Sequence, residues 1–158
     1  MRNLFSKKRK ICLILALLWM GIIFLFSAQK SDESTQISNG AGRCVVKAVN
    51  EIMDKGWSEE KVEEYALVID HPIRKLAHAT EYGILALLWY GVMSSYWKAI
   101  VIAFLYACTD EFHQLFVPGR AGMIKDVLID TSGAIAFMLV VWIVGFGLSS
   151  WRAKRDTH

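Results

Sequence analysis

The chain has 158 residues, of which 54% are hydrophobic, and its mean hydropathy of +0.34 is too high for an ordinary soluble domain of this size. Its net charge of +3 does not indicate nucleic-acid binding, because basic residues gather at both ends of the chain and acidic residues in the middle. Cys12, Cys44 and Cys108 are far apart and support neither a zinc knuckle nor a redox dithiol. We expect one membrane domain over residues 1–158.

Apolar runs predict an all-α, polytopic transmembrane helical bundle. About four spanning helices are expected, at residues 11–28, 76–93, 96–114 and 127–148. The first run follows basic residues 7–10 and is long for a signal peptide, and Phe26 stands where a cleavage site needs a small residue, so we expect an uncleaved anchor. The last run precedes Arg152, Lys154 and Arg155. Basic flanks are typical of cytoplasmic ends, so both termini are expected in the cytoplasm and the number of crossings is expected to be even.

The two middle runs cross the membrane only if their helices include polar residues. Residues 83–93 cover about half of a ~30 Å hydrocarbon layer at ~1.5 Å per residue, so His78 and Glu81 are expected in or just above the membrane. Ser94 and Ser95 leave room only for a tight antiparallel hairpin between the two helices. Lys98 would then face the cytoplasm.

The external segment 29–75 predicts two short amphipathic helices. Their apolar residues are Val45, Val49, Ile52 and Met53 in the first helix, and Val62, Tyr65, Ala66 and Ile69 in the second. Gly56 is suited to end the first helix and Ser58 to cap the second. Each apolar stripe is expected to lie on the membrane surface or to cover the outer mouth of the bundle. Pro72 is suited to the first turn of the next helix, and His71 to a cap or loop.

Polar residues of the predicted spans lie near helix ends that chain direction brings to one membrane face. They are His78 and Glu81 at the start of the second span, Asp110, Glu111 and Gln114 at the end of the third, and Asp126 and Asp130 at the start of the fourth. Successive helices run in opposite senses, so start, end and start share one face, which is the outer face if the termini are cytoplasmic. Ionisable groups at this depth are costly unless they pair or line a wet cavity. A polar cluster is therefore expected.

Helical spacing sharpens this cluster. Lys75, His78 and Tyr82 follow each other at i, i+3 and i+7, and they share one face of their helix. The spacing of four also puts Asp126 and Asp130 on one face. Pro118 and Gly119 form a predicted turn that brings Arg120 back over the helix ends.

One interpretation is a recess for a polar headgroup at the boundary of lipid and water. Arg120 would bind a phosphate or a carboxylate with its planar fork, and His78 would act as an acid or base with Asp110 or Glu111 orienting it. The other residues expected to contact the headgroup are Lys75, Tyr82, Gln114, Asp126 and Asp130. The alternative is a structural network, in which Arg120 or Lys75 pairs with carboxylates and holds three helices in register.

A metal site is a further alternative at the same face. Its ligands would be His78, Glu111, His113 and Asp126. No HxxxH or HExxH spacing supports it, so we expect neither a metal nor another cofactor. His113 is more typical of an interfacial residue.

The chain resembles the VanZ-like family of small bacterial membrane proteins. The resemblance is carried by KLAHATEYGIL at residues 75–85, DEFHQLFVPGR at residues 110–120, FSAQ at residues 26–29, Asp126 and Gly133. Asp130 stands where the family often has Asn, which adds a carboxylate. The family takes its name from a protein associated with lowered susceptibility to the glycopeptide teicoplanin, and the resemblance carries over no established catalytic role.

These observations predict a multi-pass protein of the bacterial cytoplasmic membrane. Its expected partners are membrane lipids and a lipid-linked cell-wall precursor, and not nucleic acid. Binding of an anionic headgroup, with or without its chemical modification, is the leading hypothesis, and an effect on teicoplanin susceptibility is expected with it. A non-catalytic scaffold or interaction protein is the alternative.

Overall fold

Helices account for nearly all of the structure, a computed structural model that describes residues 2–29 and 31–155. This part of the chain folds into five α-helices and contains no strand, which confirms the all-α prediction. The helices are α1 (Arg2–Ser27), α2 (Ser31–Ile52), α3 (Glu59–Met93), α4 (Tyr96–Gln114) and α5 (Ile124–Arg155). α3 packs against each of the other four and is the central helix of the bundle.

Two of these helices are long and apolar enough to cross a membrane. They are Ser6–Ser27 within α1, with a mean hydropathy of 2.4, and Ile124–Gly147 within α5, with a mean hydropathy of 2.2. Their outer faces carry large exposed side chains, among them Leu25 and Phe146, which are 68% and 66% exposed. Apolar side chains on the outside of helices of this length are typical of contact with lipid. By the same measure α3 and α4, as described, do not qualify as spans.

The predicted helix start at Pro72 is wrong, because Pro72 lies inside α3, which is one continuous helix of 35 residues. Ser58 caps this helix as expected, and its hydroxyl accepts the backbone N–H of Lys61 at 3.4 Å. His71 and Pro72 lie inside the helix and not in a cap, a loop or a first turn. An interior proline costs about 3 kcal/mol in an isolated helix. Packing of α3 on its four neighbours offsets that cost.

α2 is also longer than predicted, with 22 residues, and it packs along the first half of α3. The buried face is centred on Val46, which contacts Val62 and Ala66 of α3. Val45 and Ile52, which belong to the predicted apolar stripe, are 50% and 84% exposed. The register of the α2–α3 pair decides which apolar residues are covered, and amphipathic spacing alone does not determine that register.

The hairpin between α3 and α4 is present as predicted. α3 ends at Met93, α4 begins at Tyr96, and Ser94 takes a left-handed conformation with φ of 54°. α4 keeps the predicted bounds 96–114. A row of small residues at every fourth position, Ala99, Ala103 and Ala107, is fully buried and lets neighbouring helices approach closely.

Helices α3 and α5 meet most tightly at Gly133. A Cβ atom at this position would lie 1.9 Å from the carbonyl oxygen of Ala79 on α3. Only glycine permits that approach of two helix backbones. The contact fixes the start of α5 beside the middle of α3, where the polar residues of both helices lie.

Candidate functional site

A polar recess of about 230 Å³ opens where α3, the end of α4, the following loop and the start of α5 meet. Seven of the nine predicted site residues line it: Lys75, His78, Glu111, Gln114, Arg120, Asp126 and Asp130. The structure therefore brings the middle of α3, the end of α4 and the start of α5 together. Asp110 and Tyr82 do not line the recess.

An ion pair between Lys75 and Asp126 forms one wall of the recess. Lys75 Nζ donates to Asp126 Oδ1, and the two side chains keep only 22% and 20% of their surface exposed. Asp126 also lies in the first turn of α5, where a negative charge complements the helix dipole. The pair joins α3 to α5 and neutralises Lys75.

Glu111 holds the loop that precedes α5. Its Oε2 accepts the backbone N–H of Met123 at 2.8 Å, and the residue is 7% exposed. A Cβ atom at Gly122 would lie 2.3 Å from the backbone oxygen of Glu111, so glycine is needed for the loop to pass this close to α4. The bond fixes the loop against the end of α4.

The predicted turn at Pro118 and Gly119 is present, and it places Arg120 in the lining of the recess. Gly119 has φ of 77°, and the backbone N–H of Arg120 donates to Val117 O at 3.1 Å. The guanidinium donates from Nε to the backbone oxygen of Gln29 at 3.3 Å, beyond the end of α1. Burial lowers the pKa of Arg120, and the nearby positive charge of Arg74 lowers it further. Among the described residues Arg120 forms no ion pair.

His78 reaches the recess from α3 with a carboxylate behind it. Its Nδ1 lies 3.3 Å from Glu81 Oε2, which is within ion-pair distance, although the two atoms are not aligned as a hydrogen bond. We expected Asp110 or Glu111 to orient this ring, whereas Glu81 is the carboxylate at ion-pair distance. It follows His78 by three residues, so both lie on one face of α3.

Asp110 and Tyr82 lie beneath the recess and not in it. They are 3% and 0% exposed, and neither Asp110 Oδ1 nor the Tyr82 hydroxyl has a hydrogen-bond partner in the described structure. Tyr82 follows Lys75 by seven residues, which places it about 10 Å deeper along α3. The packed bundle covers the Tyr82 side chain, so contact between Tyr82 and a bound headgroup stays a prediction that this arrangement does not support.

Two recess residues with titratable or charged side chains, His71 and Arg74, were not predicted from the sequence to be part of the site. Arg74 pairs with Asp70 one turn earlier. The signal was present in the spacing, since positions 71, 74, 75 and 78 share one face of a continuous helix. Assigning Pro72 to a helix start hid it.

No group of three or more histidine, cysteine, aspartate or glutamate side chains suited to a metal ion occurs in the part of the chain that the structure describes. The conceivable ligand set does not assemble as a unit, because His113 is absent from the recess lining and its ring packs against Phe24 with centroids 4.5 Å apart. His113 is therefore a packing residue between α4 and α1.

Two helices long and apolar enough to cross a membrane, beside a polar recess, are the features expected of a helical membrane protein. A family model described as VanZ/LLP1 matches residues 12–145, which is most of the chain. The chain belongs to the VanZ/LLP1 family. No curated protein and no solved structure matches it significantly.

Proposed function

We propose that this protein crosses the bacterial cytoplasmic membrane four times, with both termini in the cytoplasm and the recess at the outer face. α3 is about 52 Å long at ~1.5 Å per residue, which exceeds a ~30 Å hydrocarbon layer. Its second half, residues 76–93, would span the membrane with α1, α4 and α5. Its first half would project outward with α2. The basic residues 7–10 support this orientation, because they lie at the end of α1 far from the recess.

The function we propose is binding of the anionic part of an envelope-lipid or lipid-linked cell-wall precursor headgroup in the recess. The observation that carries this proposal is the half-buried guanidinium of Arg120, which has no carboxylate partner in the described structure. The other two cations of the recess, Arg74 and Lys75, are each paired with an aspartate. A desolvated, unpaired guanidinium is stabilised by a phosphate, which it binds through parallel hydrogen bonds.

Chemical modification of the bound headgroup would use His78. Glu81 beside Nδ1 leaves Nε2 as the ring nitrogen for the recess, and histidine exchanges protons near neutral pH. The proposed anion contact is made by Arg120 and the proposed chemistry by His78, so the two activities can be tested separately. His78→Gln tests chemistry without removing the anion site.

The direct test measures binding of phosphate-headed lipid to the purified protein in nanodiscs by native mass spectrometry. Arg120→Ala is expected to lower retention of the lipid about tenfold or more, since a hydrogen bond to a charged group contributes roughly 1.5–3 kcal/mol. Lys125→Ala is the matched control, because Lys125 is an exposed neighbouring cation outside the recess. Equal retention by Arg120→Ala and the unchanged protein would contradict the proposal.

A link to teicoplanin susceptibility is the cellular form of the same proposal. In a host in which the protein alters susceptibility to the antibiotic, Arg120→Ala is expected to abolish the effect, with His78→Ala abolishing it as well if the headgroup is modified. Immunoblots of the membrane fraction control for protein level. An unchanged phenotype for Arg120→Ala at normal level would remove this proposal.

A scaffold role is the second candidate, and the links between helices favour it. Lys75 joins α3 to α5 through Asp126, and Gln114 joins α4 to α1 through Ser27. A purely structural cluster predicts that Arg120→Ala lowers abundance and melting temperature. The headgroup proposal predicts lost binding with both nearly unchanged, so the two measurements separate the candidates.

A further inference from the structure

We propose that the ligand is a single-chain phosphate amphiphile, whose hydrocarbon chain leaves the recess sideways into a groove between α4 and α5. This inference rests on the proposed headgroup site and names the class of molecule bound there. The proposed occupant of the groove is one alkyl or isoprenyl chain.

The groove has a volume of about 250 Å³. Cys108 and Phe112 contribute to it from α4, Val127 from α5, and Leu115 from the turn after α4. Glu111 is the one charged residue among those that line it. Such a surface suits a hydrocarbon chain and offers little to a polar ligand.

The groove and the polar recess are adjacent. Glu111 and Met123 line both of them, so only these two residues need to lie between a headgroup and its chain. The bond from the Met123 N–H to Glu111 holds the backbone at this wall. The side chain of Met123 is 43% exposed and unbranched, so it can change rotamer without disturbing the core.

The groove also opens toward the lipid. Phe112, Leu115 and Ile124 are 64%, 58% and 81% exposed, at the end of the bundle where the recess lies. Large exposed apolar side chains at this level would contact the outer leaflet in the proposed orientation. A chain in the groove would therefore continue into the bilayer. A single groove beside a single anion site accommodates one hydrocarbon chain. A diacyl lipid has two such chains, so a single-chain phosphate fits better.

Cys108 supplies a native probe, because its thiol is free and half-buried in the groove wall. In a Cys12→Ala, Cys44→Ala background, the rate of alkylation of Cys108 by N-ethylmaleimide is measured in phosphatidylcholine nanodiscs. Hexadecyl phosphate is expected to slow alkylation at least fivefold, and glycerol 3-phosphate, which has no chain, is expected to leave the rate unchanged. Arg120→Ala should remove the protection.

A photoreactive single-chain phosphate with a diazirine midway along its chain gives a second readout that does not depend on thiol access. Peptides from residues 108–127 should carry the label. Leu115→Trp, which fills the groove from its exposed rim, should reduce labelling at least tenfold. Phe116→Trp is the matched control, since Phe116 is exposed next in sequence and does not line the groove.

The outcomes separate the two proposals. Equal retention of hexadecyl phosphate by Arg120→Ala and by the unchanged protein would overturn the headgroup site itself. Arg120-dependent retention of hexadecyl phosphate, without protection of Cys108 and with no effect of Leu115→Trp, would overturn the groove alone. Phosphatidic acid that protects Cys108 as well as hexadecyl phosphate does would overturn the single-chain assignment.

Discussion

Gln114 in the last turn of α4 donates a hydrogen bond of 3.0 Å from Nε2 to the hydroxyl of Ser27 at the end of α1. The two residues are 4% and 0% exposed, although 87 positions separate them in the chain. This buried hydrogen bond joins the helix that carries the first apolar run to the helices of the recess.

Replacing Gln114 with leucine is expected to lower the free energy of unfolding by about 1–2 kcal/mol, because the buried hydroxyl of Ser27 loses its partner. Unfolding by a denaturing detergent, followed by far-UV circular dichroism, measures the change. Thr109→Ala on the same helix is the control, since that hydroxyl is exposed and bonds only to Tyr106 O within its own helix. A loss no larger than that of the control would show that the bond contributes nothing.

The ion pair of Lys75 and Asp126 predicts a charge-swap rescue. Lys75→Met leaves a mostly buried carboxylate unpaired and is expected to cost about 2–3 kcal/mol, somewhat below the 3–5 kcal/mol typical of fully buried pairs. The double variant Lys75→Asp, Asp126→Lys restores the pair and should recover most of this loss. A double-mutant cycle of melting temperatures in detergent measures the coupling. Additive single effects would contradict a direct interaction.

Gly133 predicts a steric effect on the packing of α3 against α5. Gly133→Ala would put its Cβ against the backbone of Ala79, so the helices must move apart, at a cost of about 1–3 kcal/mol. Gly145→Ala on the same helix is the matched control, because nothing lies within 4 Å of its Cβ position. The control should be neutral or slightly stabilising, since alanine favours helix. Equal melting temperatures for the two variants would argue against the close contact.

Two serines that precede helices are expected to differ. Ser58→Ala removes the cap of α3 and should destabilise the α2–α3 pair by about 1 kcal/mol. Ser95→Ala should have little effect, because Ser95 precedes α4 without a side-chain cap bond. Hydrogen exchange of residues 59–66 at fixed pH measures the local opening. Comparable exchange in both variants would show that the Ser58 bond is not formed.

Residue patterns predicted the α3–α4 hairpin and the bounds of α4 well, because both features depend on residues that are close together in the sequence. Ser94 and Ser95 leave no room for a longer connection, and the apolar run of α4 ends at charged residues. The convergence of His78, Glu111 and Asp126 followed from chain direction, which alternates between successive helices whatever their packing. These features depend on short stretches of chain, so they can be read without a fold.

Pro72 shows where local reasoning failed, and Val46 shows what it left open. Proline is unfavourable inside an isolated helix, yet α3 runs through Pro72 because its neighbours hold it. Val46 is buried in place of Val45 because of how α2 is rotated against α3. Both outcomes depend on free energy gained between helices, which is distributed over residues far apart in sequence.

The sequence by itself determined that this is an all-helical chain with apolar outer helices. It also determined that the polar residues of its last three predicted spans lie at one level, because hydropathy and chain direction are properties of the order of residues. Only the tertiary structure decided which of those side chains line a cavity. Tyr82 is fully buried outside the recess, whereas Arg74 lines it. Arg120 also lines it and has no ion-pair partner among the described residues. Distances of a few ångströms between separate helices settle these differences, and such distances are fixed by close approaches such as that of Gly133 to Ala79.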